Sequence, residues 1–441
     1  MNESLLTDFY QLTMAEIYIK KGLLKKASFE FFIRRRPERR NFFIAAGLEK
    51  IIEYLKELKF QQDEIDFLRE RGFSKELIDY LKKFRFQGDV WALPEGTIFF
   101  ENEPVIRVEA PLPQAQIVET RIINILHFQI LIASKAVRCV LSAPNKALID
   151  FGLRRAHGFE AGLYAARSCY LAGFIATSTV EAGRLFKIPI TGTMAHSFIL
   201  AHESEEAAFR NFIETHPENP ILLIDTFDTI KAAYLAAKLY REYLKNGIKI
   251  KGVRIDSGNY IELSKKVRKI FDSQGAKEMM IFCSGGLDEY KLKELTKNDV
   301  PIDGFGLGTL IDTSSDVPFL DCAYKMVEYD GTPKMKFSKG KATLPFKKQI
   351  MRYLNKEGLF SHDIICTSKE AENSNNQGLL VEVMRGGKLI AKGEGISVIR
   401  DRVKEQLSSL PHELKSITNS CAYDVKFSSK LKGAINSEVK A

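Results

Sequence analysis

The sequence predicts an α/β protein built on an incomplete (β/α) barrel of about seven strands, with an α+β N-terminal domain completed by C-terminal segments. Three observations support this fold class. Short apolar runs end in small or polar residues, each run precedes a segment with helical periodicity, and the alternation recurs through the centre of the chain. Such alternation implies parallel strands joined by right-handed crossovers. A doubly wound open sheet is the alternative architecture.

The predicted barrel strands matter for function because their ends position any active site. In α/β barrels the chemistry is located at the carboxyl ends of the strands, in the loops that lead into the helices. The loops contain Arg154, Ser178, His196, Asp225, Asp256, Ser284 and Gly308. The strand runs are KALIDFG (146–152), GFIATS (173–178), ITGTMAH (190–196), ILLIDTFDT (221–229), KGVRIDSGN (251–259), MIFCSGG (280–286) and IDGFGLGT (302–309).

The flanking segments differ from the barrel in their pattern. Residues 1–115 mix helical stretches with β-like stretches that Pro and Gly interrupt, which predicts an α+β domain. The barrel domain is expected at 116–330, entered through a long amphipathic helix at 116–140. Residues 331–441 are expected to fold back onto the N-terminal domain, with an exposed loop at 368–378.

The charge balance raises the question of a nucleic-acid partner. The chain has 441 residues and a formal net charge of +9, but its 65 basic residues are widely spread among 56 acidic ones. The densest basic run, RRRPERR at 34–40, is compatible with a solvated loop, a nucleic-acid patch or a phosphate-binding edge. An anionic small-molecule substrate accounts for the positive excess equally well, so no nucleic-acid partner is expected.

Cysteine usage and hydropathy predict a cytoplasmic location. The six cysteines form no CxxC motif and no Cys/His cluster, which argues against a disulfide framework and a structural zinc site. The N-terminal residues MNESLLTDFYQLT lack the basic and apolar regions of a signal peptide. No run of about 18 apolar residues is present, so no membrane association is expected.

His196, in ITGTMAHSF, follows a predicted strand end and precedes a new helical pattern. Spacing alone leaves two interpretations open: a reactive imidazole at the barrel mouth, or a histidine that packs or caps. Asp225, at the next strand end, could hold the second imidazole nitrogen and raise the basicity of the ring. Asp228 is expected to be a helix N-cap and His202 to have a structural role. Ser197 is a poor nucleophile candidate because no GxSxG motif surrounds it.

Two further strand ends combine an arginine with a second group. In VRIDSGN, strand alternation places Arg254 and Asp256 on one face, either as an intramolecular ion pair or as groups that bind an anion and a sugar hydroxyl or metal-bound diphosphate. In DFGLRR, Phe151 offers a stacking face and Arg154 a guanidinium to a flat anionic substrate. The alternative places Phe151 in the core and Arg154 on the surface.

Two glycine turns predict a phosphate site on the last strands. IDGFGLGT contains Gly306 and Gly308, and CSGGLDEY contains Gly285 and Gly286. Glycines let the backbone approach a phosphate, whose charge exposed N–H groups then meet. Neither a dinucleotide fingerprint nor a GxxxxGK[ST] loop occurs in the chain.

Together these residues resemble the nicotinate phosphoribosyltransferase family, which are type II phosphoribosyltransferases. The resemblance extends in one order from LLTDFYQLTM through FEFFIRRRP, QAQIVET, DFGLRR, GTMAHSF, LIDTFDT, VRIDSGN, SGGLDEY and GFGLGT to KATLPFKKQ, over most of residues 4–352. It implies transfer of phosphoribosyl from 5-phosphoribosyl 1-diphosphate to nicotinate, with Mg²⁺ and with ATP as co-substrate, in a homodimer whose active site lies at the interface.

The resemblance also implies a role for each matching residue. His196 would become a phosphohistidine, with Asp225 as its orienting partner. Phe151 and Tyr10 of the partner subunit would sandwich the pyridine ring, with Asp8 beside it. Arg154 would face the base and phosphoribosyl groups, and no residue is assigned as a metal ligand. The substrate set further includes Arg254, Asp256 and Ser257, and the phosphate set Ser284, Gly285, Gly286, Gly306, Gly308, Thr309, Lys325, Lys339 and Lys341.

Ser178 and Thr179, in ATSTV, bear on the choice of base. The related nicotinamide phosphoribosyltransferases carry an aspartate at the position of Ser178, where a carboxylate accepts from an amide but repels the nicotinate carboxylate. Serine removes that repulsion, so nicotinate is the expected substrate. Nicotinamide and quinolinate phosphoribosyl transfer remain alternatives, and a basic RNA-binding or scaffold protein is the non-enzyme alternative.

Overall fold

The computed structural model describes residues 3–336, 343–374, 377–390 and 393–438. Two units divide the chain: residues up to Ser134 together with those from Phe319 onward form the first unit, and Lys135–Pro318 form the second. The second unit ends at Pro318, whereas the sequence placed the end of the barrel domain at residue 330. The strand at Asp321–Tyr329 pairs with Lys26–Arg35 of the first unit, which accounts for this difference.

The first part of the chain contains helices and strands that end in one long helix. The Gln11 side chain accepts a hydrogen bond from the Asp8 backbone N–H (2.8 Å) and so helps to start the first helix. The boundary between the units lies inside the long helix, whereas the sequence placed it at 115/116. The elements are α1 (Phe9–Lys20), β1 (Lys26–Arg35), β2 (Phe43–Ile44), α2 (Leu48–Glu57), α3 (Gln62–Glu70), α4 (Lys75–Lys82), β3 (Asp89–Ala92), β4 (Ile98–Phe99), β5 (Pro104–Pro111), α5 (Leu112–Ile117) and α6 (Glu119–Ser142).

Helix α6 is the one described helix long and apolar enough to cross a bilayer. Of its most apolar stretch, 78% is buried inside the protein. Burial of that extent is typical of a core helix, because a membrane-spanning helix would expose its apolar side chains to lipid.

The second unit alternates strands and helices as the sequence pattern predicts. Its strands are short and almost wholly buried, as is typical of parallel strands covered by helices. The elements are β6 (Ala147–Asp150), α7 (Phe159–Ala172), β7 (Ala176–Thr177), α8 (Val180–Phe186), α9 (His196–Leu200), α10 (Glu205–Thr215), β8 (Ile221–Leu223), α11 (Thr229–Leu244), β9 (Gly252–Ile255), α12 (Tyr260–Ser273), β10 (Met280–Ser284), α13 (Glu289–Lys297), β11 (Gly304–Leu307) and α14 (Thr309–Asp312).

The barrel sheet has six described strands, where the sequence predicted about seven. Their order is β7-β6-β11-β10-β9-β8, with every pairing parallel. In chain order β6 is the first of these strands and β11 the last, and the two pair with each other. The neighbours therefore follow the cyclic order of a barrel that is open at one place. The run at 190–196 forms only a single parallel bridge, between Ile190 and Thr177, and this accounts for the missing strand.

The C-terminal part of the chain contributes to the sheets of the first unit. Seven described strands form one sheet in the order β13-β12-β1-β5-β3-β16-β17, so strands from both ends of the sequence share a core. At its centre Phe29 and Tyr324 stack with ring centroids 5.0 Å apart. The elements are β12 (Asp321–Tyr329), β13 (Thr332–Pro333), β14 (Lys348–Leu354), β15 (Phe360–Thr367), α15 (Ser368–Glu372), β16 (Val381–Arg385), β17 (Lys388–Leu389), α16 (Ile396–Ser409), β18 (Val425–Phe427) and α17 (Ser429–Glu438).

Candidate active site at the strand ends of the barrel unit

His196 and Asp225 face each other across two loops of the barrel unit. His196 is the first residue of α9, and its Nε2 lies 3.4 Å from Oδ1 of Asp225, which follows β8. The imidazole is 41% exposed, whereas the Asp225 side chain is only 2% exposed. Oδ2 of Asp225 accepts hydrogen bonds from the Ser257 hydroxyl (2.6 Å) and from the Asp256 backbone N–H (3.1 Å). A fixed carboxylate thus faces one nitrogen of an accessible imidazole.

Two neighbouring polar residues, Asp228 and His202, have structural roles. Asp228 caps α11 by accepting from the backbone N–H groups of Ile230 and Lys231 (both 3.0 Å), which confirms the predicted N-cap. Nδ1 of His202 lies 2.7 Å from the Phe198 carbonyl oxygen, and the two rings pack with centroids 4.6 Å apart. These local contacts give His202 a packing role and leave His196 as the histidine that faces Asp225.

Arg254 links the strand ends to the His196 loop. Its Nη2 donates to the carbonyl oxygen of Met194 (2.7 Å), and its Nη1 contacts Asp256 Oδ1 (3.2 Å) and the Ser284 hydroxyl (3.3 Å). The predicted ion pair with Asp256 is therefore present. Burial lowers the pKa of Arg254. The negative charges of Asp256 and Asp225 counteract this decrease, whereas the nearby positive charge of Arg154 adds to it. Two neighbouring guanidinium groups of this kind favour an anionic ligand.

The turn that follows β10 depends on glycine. Gly285 and Gly286 have φ angles of +95° and +63°, in the left-handed region that favours glycine. A Cβ atom at Gly285 would collide with the Asp256 carbonyl oxygen. The Ser284 hydroxyl donates to Asp256 Oδ1, so the turn is tied to the Arg254–Asp256 pair. Because the turn carries no side chain, its backbone can approach a bound phosphate closely.

Tyr260 supports this turn, and sequence analysis did not single it out. Its hydroxyl lies 2.5 Å from the Ser284 carbonyl oxygen, 3.0 Å from that of Gly285 and 3.1 Å from that of Asp256. Burial raises the pKa of this phenol. The available signal was its position as the first residue of α12, directly after the SGN turn. In a sequence, a residue at a helix start is interpreted as part of the helix cap. The position of Tyr260 therefore did not predict its contact with the end of the next strand.

Phe151 lies against the second glycine turn. Its backbone N–H donates to the Leu307 carbonyl oxygen (2.6 Å), and a Cβ at Gly306 would lie 2.5 Å from its ring. A Cβ at Gly308 would lie 2.7 Å from the Phe151 carbonyl oxygen. The ring is half-buried and lines a small cavity together with Arg254. Phe151 is thus accessible on part of its surface rather than wholly in the core.

The remaining predicted residues of the barrel unit lie at the same strand ends. Arg154 is exposed in a short 3₁₀ turn that follows β6. Ser178 is exposed, and its backbone N–H donates to the Asp150 carbonyl oxygen (2.8 Å). Thr179 is buried and its backbone N–H donates to the Thr177 hydroxyl oxygen (2.9 Å). Thr309 is exposed at the start of α14.

Asp8, Tyr10 and Lys325 belong to the first unit. The Asp8 carboxylate accepts a hydrogen bond from the Thr120 hydroxyl (2.8 Å) at the start of α1. Tyr10 is 48% exposed, and burial together with Glu119 and Asp8 raises its pKa to about 12. Lys325 lies on β12 opposite Glu30 of β1. Lys339 and Lys341 lie outside the described residues.

Protein ligands for a metal ion are few in this structure. No group of three or more His, Cys, Asp or Glu side chains suited to a metal ion occurs within the described ranges. Oδ1 of Asp225 is buried without a hydrogen-bond partner in the described part of the chain, and Asp256 lies beside it. Mg²⁺ usually needs only one or two carboxylates because substrate phosphates and water complete its shell. Two carboxylates of this kind fit a magnesium ion that arrives with a diphosphate.

The geometry assembles four chemical functions at one end of the barrel strands. They are an imidazole beside a fixed carboxylate, two adjacent guanidinium groups, an accessible aromatic face and two side-chain-free turns. Such a set can bind a flat anion together with phosphate groups, and it can provide a nitrogen nucleophile.

Family models match the chain in three segments. The description of the first is nicotinate phosphoribosyltransferase N-terminal domain, and it matches residues 5–127. The second, the nicotinate phosphoribosyltransferase family, matches residues 146–355, which contain the barrel. The third, the nicotinate phosphoribosyltransferase C-terminal domain, matches residues 368–434.

Individual proteins show the same likeness over more than nine-tenths of their lengths. A nicotinate phosphoribosyltransferase of Mycobacterium tuberculosis is 41% identical over 435 residues, which cover 98% of this chain and 93% of the relative. The enzyme of that name from Bacillus subtilis is 36% identical over 455 residues, covering 96% and 93%. The crystal structure of human nicotinic acid phosphoribosyltransferase superimposes with a TM-score of 0.87 at 26% identity, covering 98% and 99% of the two chains. A nicotinate-nucleotide pyrophosphorylase from Pyrococcus furiosus gives a TM-score of 0.76 at 26% identity, covering 92% and 96%.

Proposed function

Because the chain belongs to the nicotinate phosphoribosyltransferase family, we propose that it transfers phosphoribosyl from 5-phosphoribosyl 1-diphosphate to nicotinate, with stimulation by ATP through a phosphohistidine. The products are nicotinate mononucleotide and diphosphate, which places the reaction in NAD biosynthesis. The observation that carries the proposal is the convergence of His196, Arg254 and Phe151 with two glycine turns at the same strand ends.

Nicotinate binding follows from the aromatic face and the guanidinium groups. The pyridine ring stacks on the accessible part of Phe151, while Arg254 and Arg154 attract the carboxylate and the phosphoribosyl group. Tyr10 of the partner subunit closes the other face of the ring in a homodimer, with Asp8 beside it. Exposed Ser178 presents a neutral hydroxyl, so nothing at this position repels the carboxylate.

Phosphate binding follows from the two glycine turns. The 5′-phosphate contacts the backbone N–H groups of the Gly285–Gly286 and Gly306–Gly308 turns, with the Ser284 and Thr309 hydroxyls as additional donors. Asp256 and Ser257 bind the ribose hydroxyls, and Thr179 supports the loop that carries Ser178. By the resemblance to the family, Lys325, Lys339 and Lys341 would add positive charge toward the phosphates.

His196 is the group that accepts phosphate from ATP. Asp225 faces Nε2 and holds the proton there, which leaves the Nδ1 lone pair free to attack the γ-phosphorus. The nitrogen–phosphorus bond forms as the bond from the γ-phosphorus to the bridging oxygen breaks, and ADP leaves. Asp225 neutralises the positive charge of the phosphorylated ring. Hydrolysis of the phosphohistidine then releases phosphate and restores the neutral imidazole.

Mg²⁺ is expected to enter with the substrate diphosphate. Asp256 and, at the neighbouring strand end, Asp225 would hold it. When bound, the ion stabilises the negative charge that develops on the departing diphosphate. Arg254 adds to that stabilisation from the protein side, since its guanidinium lies between Asp256 and Ser284.

We also propose a cytoplasmic location. All six cysteines are free thiols, as a reducing compartment allows.

The exposed fraction of Tyr10 on α1 agrees with a surface that a second subunit covers in the homodimer.

The test supplies nicotinate, phosphoribosyl diphosphate, Mg²⁺ and ATP, and follows mononucleotide and ADP. We expect mononucleotide formation that ATP stimulates, and we expect His196→Ala to abolish both ADP formation and the stimulation. His202→Ala is the matched control, since the His202 ring bonds and packs against Phe198 of its own turn. ATP coupling that persists in His196→Ala contradicts the phosphohistidine assignment. If the protein turned over nicotinamide or quinolinate faster than nicotinate, that base would replace nicotinate as the proposed substrate. Salt-sensitive RNA binding without any turnover would favour the non-enzyme alternative.

A further inference from the structure

Two buried carboxyl groups meet beneath the candidate site and have no part in the mechanism above. Asp150 is the last residue of β6 and Asp312 the last residue of α14, and each is only 1% exposed. A Cβ atom at Gly152 would collide with the Asp312 carboxyl group, so this carboxyl lies directly against the backbone of the loop after β6. The contact brings a strand-end acid and a helix-end acid together from distant parts of the sequence.

The two carboxyls differ in the number of hydrogen bonds that they accept from described residues. Oδ1 of Asp150 accepts from the Gly152 backbone N–H (2.9 Å), and Oδ2 accepts from the Thr177 hydroxyl (2.6 Å). The Asp312 carboxyl oxygens are buried and receive no hydrogen bond from a donor in the described part of the chain. Both carboxyls instead lie against the same residue, Gly152, and the two groups act on each other there. A carboxyl group without donors is favoured in its protonated form, which can itself donate.

Among the described residues, the groups that act on the two carboxyls carry no compensating positive charge. A further titratable group that senses both carboxyls is the Cys169 thiol of α7, whose pKa is raised by burial and then by the two aspartates. Burial raises the pKa of Asp150, although the bonds from Thr177 and Gly152 oppose the increase. Burial and the charge of Asp150 raise the pKa of Asp312 well above its ordinary value. No lysine or arginine is among the groups that act on either carboxyl within the described residues.

We propose that Asp150 and Asp312 share one proton, and that the resulting O–H···O bond is a positioning element that joins the base-binding loop to the phosphate-binding turn. Asp312 carries the proton and donates to the ionised Asp150 carboxylate. Two ionised carboxylates here would repel each other without any cation to offset the repulsion. The inference rests on the proposed function, because it assigns substrate contacts to the segments that the bond joins.

The segments on each side of the proton carry the groups that bind the two substrates. Asp150 directly precedes Phe151, and its carbonyl oxygen accepts from the Ser178 backbone N–H (2.8 Å). The Asp312 backbone N–H donates to the carbonyl oxygen of Gly308 (3.1 Å), within the second glycine turn. Loss of the shared proton therefore loosens the stacking face and the phosphate turn together, and KM for both substrates should rise. The chemical groups of the reaction itself are untouched, so kcat should change less than KM.

The test compares Asp312→Asn with Asp312→Ala. Asparagine keeps a permanent N–H donor toward the Asp150 carboxylate, whereas alanine removes the donor and leaves a cavity. We expect Asp312→Asn to keep KM for nicotinate and for phosphoribosyl diphosphate within about twofold of wild type, and Asp312→Ala to raise both at least about tenfold. Hydrogen exchange at residues 150–156 and 304–313 should quicken in Asp312→Ala only, with α12 as the internal reference. Equal effects of the two substitutions overturn the positioning role.

The proton is measured separately by infrared spectroscopy on the protein labelled with ¹³C-aspartate. Wild type at neutral pH should show the carbonyl stretch of a protonated aspartic acid, and Asp312→Asn should lack it. An unchanged band in this variant, or no such band in wild type, overturns the shared proton. These measurements and the hydrogen exchange need no substrate. A protein that failed to use nicotinate would therefore refute the proposed function, and the shared proton would still be tested by the spectrum and by hydrogen exchange.

Discussion

Arg254 donates a hydrogen bond to the carbonyl oxygen of Met194 (2.7 Å), two residues before His196. The guanidinium that is placed to meet the substrate anion thus also holds the backbone that carries the candidate phosphate acceptor. Its remaining contacts, with Asp256 and Ser284, come from two adjacent strand ends. One planar cation therefore connects the histidine loop to the end of its own strand, β9, and to the end of β10, and an ammonium group could not make all of these contacts.

The first prediction is that Arg254→Lys lowers kcat/KM for nicotinate by about 10- to 150-fold, because hydrogen bonds to a charged group contribute about 1.5–3 kcal/mol. Phosphorylation of His196 by ATP should also slow, since the Met194 anchor is lost. Steady-state kinetics and acid-labile phosphate incorporation measure the two effects. Arg184→Lys is the control, because Arg184 is exposed and pairs with Glu181 on its own helix. Normal phosphorylation in Arg254→Lys would contradict the link to the histidine loop.

The second prediction separates the two glycines of the turn after β10. Alanine at Gly285 requires both a left-handed backbone and a Cβ that collides with the Asp256 carbonyl oxygen. Alanine at Gly286 requires the left-handed backbone alone, since nothing lies within 4 Å of its Cβ. Strained backbone of this kind costs about 1–3 kcal/mol. We expect Gly285→Ala to raise KM for phosphoribosyl diphosphate at least about tenfold more than Gly286→Ala does. Similar values for the two variants would show that close approach to Asp256 is unimportant.

The third prediction concerns stability and pH. Lys135 Nζ lies 2.6 Å from Glu289 Oε2, and Arg138 Nε lies 2.9 Å from Oε1, in a fully buried cluster. Burial alone would raise the pKa of Glu289, but Lys135 and Arg138 outweigh it and the pKa is lowered. A lowered folded-state pKa means that the stabilisation is complete above the unfolded-state value of about 4.3 and disappears as pH falls through the folded-state value.

Glu289→Gln should therefore lower the free energy of unfolding by about 3 kcal/mol at neutral pH, because Lys135 and Arg138 are left buried with less compensation. The difference from wild type should shrink on acidification below about pH 4. Thermal unfolding across pH measures this. Glu294→Gln, an exposed substitution on the same helix, should change the free energy of unfolding by less than about 1 kcal/mol. A difference between Glu289→Gln and wild type that is independent of pH would contradict the ionised state of Glu289.

Much of the barrel unit could be predicted because its signals are local. Six of the predicted strand runs form strands, and period-2 alternation correctly places Arg254 beside Asp256. The proximity of His196 and Asp225 followed from the rule that parallel strand ends meet at one edge. The run at Ile190 has the same composition as its neighbours, yet it forms only one bridge. A strand requires pairing partners as well as propensity, and the sheet is open between Ile190 and β8.

Contacts between distant segments were not predictable in the same way. Asp150 and Asp312 are a strand-end acid and a helix-end acid in the sequence, and no periodicity indicates that they meet. Tyr260 reaches the turn after β10 only because β9 and β10 are neighbours in the sheet. In each case the relevant partner is determined by strand order, which a single sequence does not encode locally.

The fourth prediction concerns the choice between acid and amide. Ser178 is exposed at the end of β7, on the loop that Asp150 and Thr177 hold in place. A carboxylate at this position repels the nicotinate carboxylate and accepts a hydrogen bond from the amide of nicotinamide. Ser178→Asp should therefore lower kcat/KM for nicotinate and raise it for nicotinamide, changing their ratio by at least about 10²-fold. Ser178→Asn is the matched control, because it adds the same volume without charge and should change the ratio far less. Competition between the two bases in one reaction gives the ratio directly, and an equal shift in both variants would mean that size, and not charge, makes this position selective.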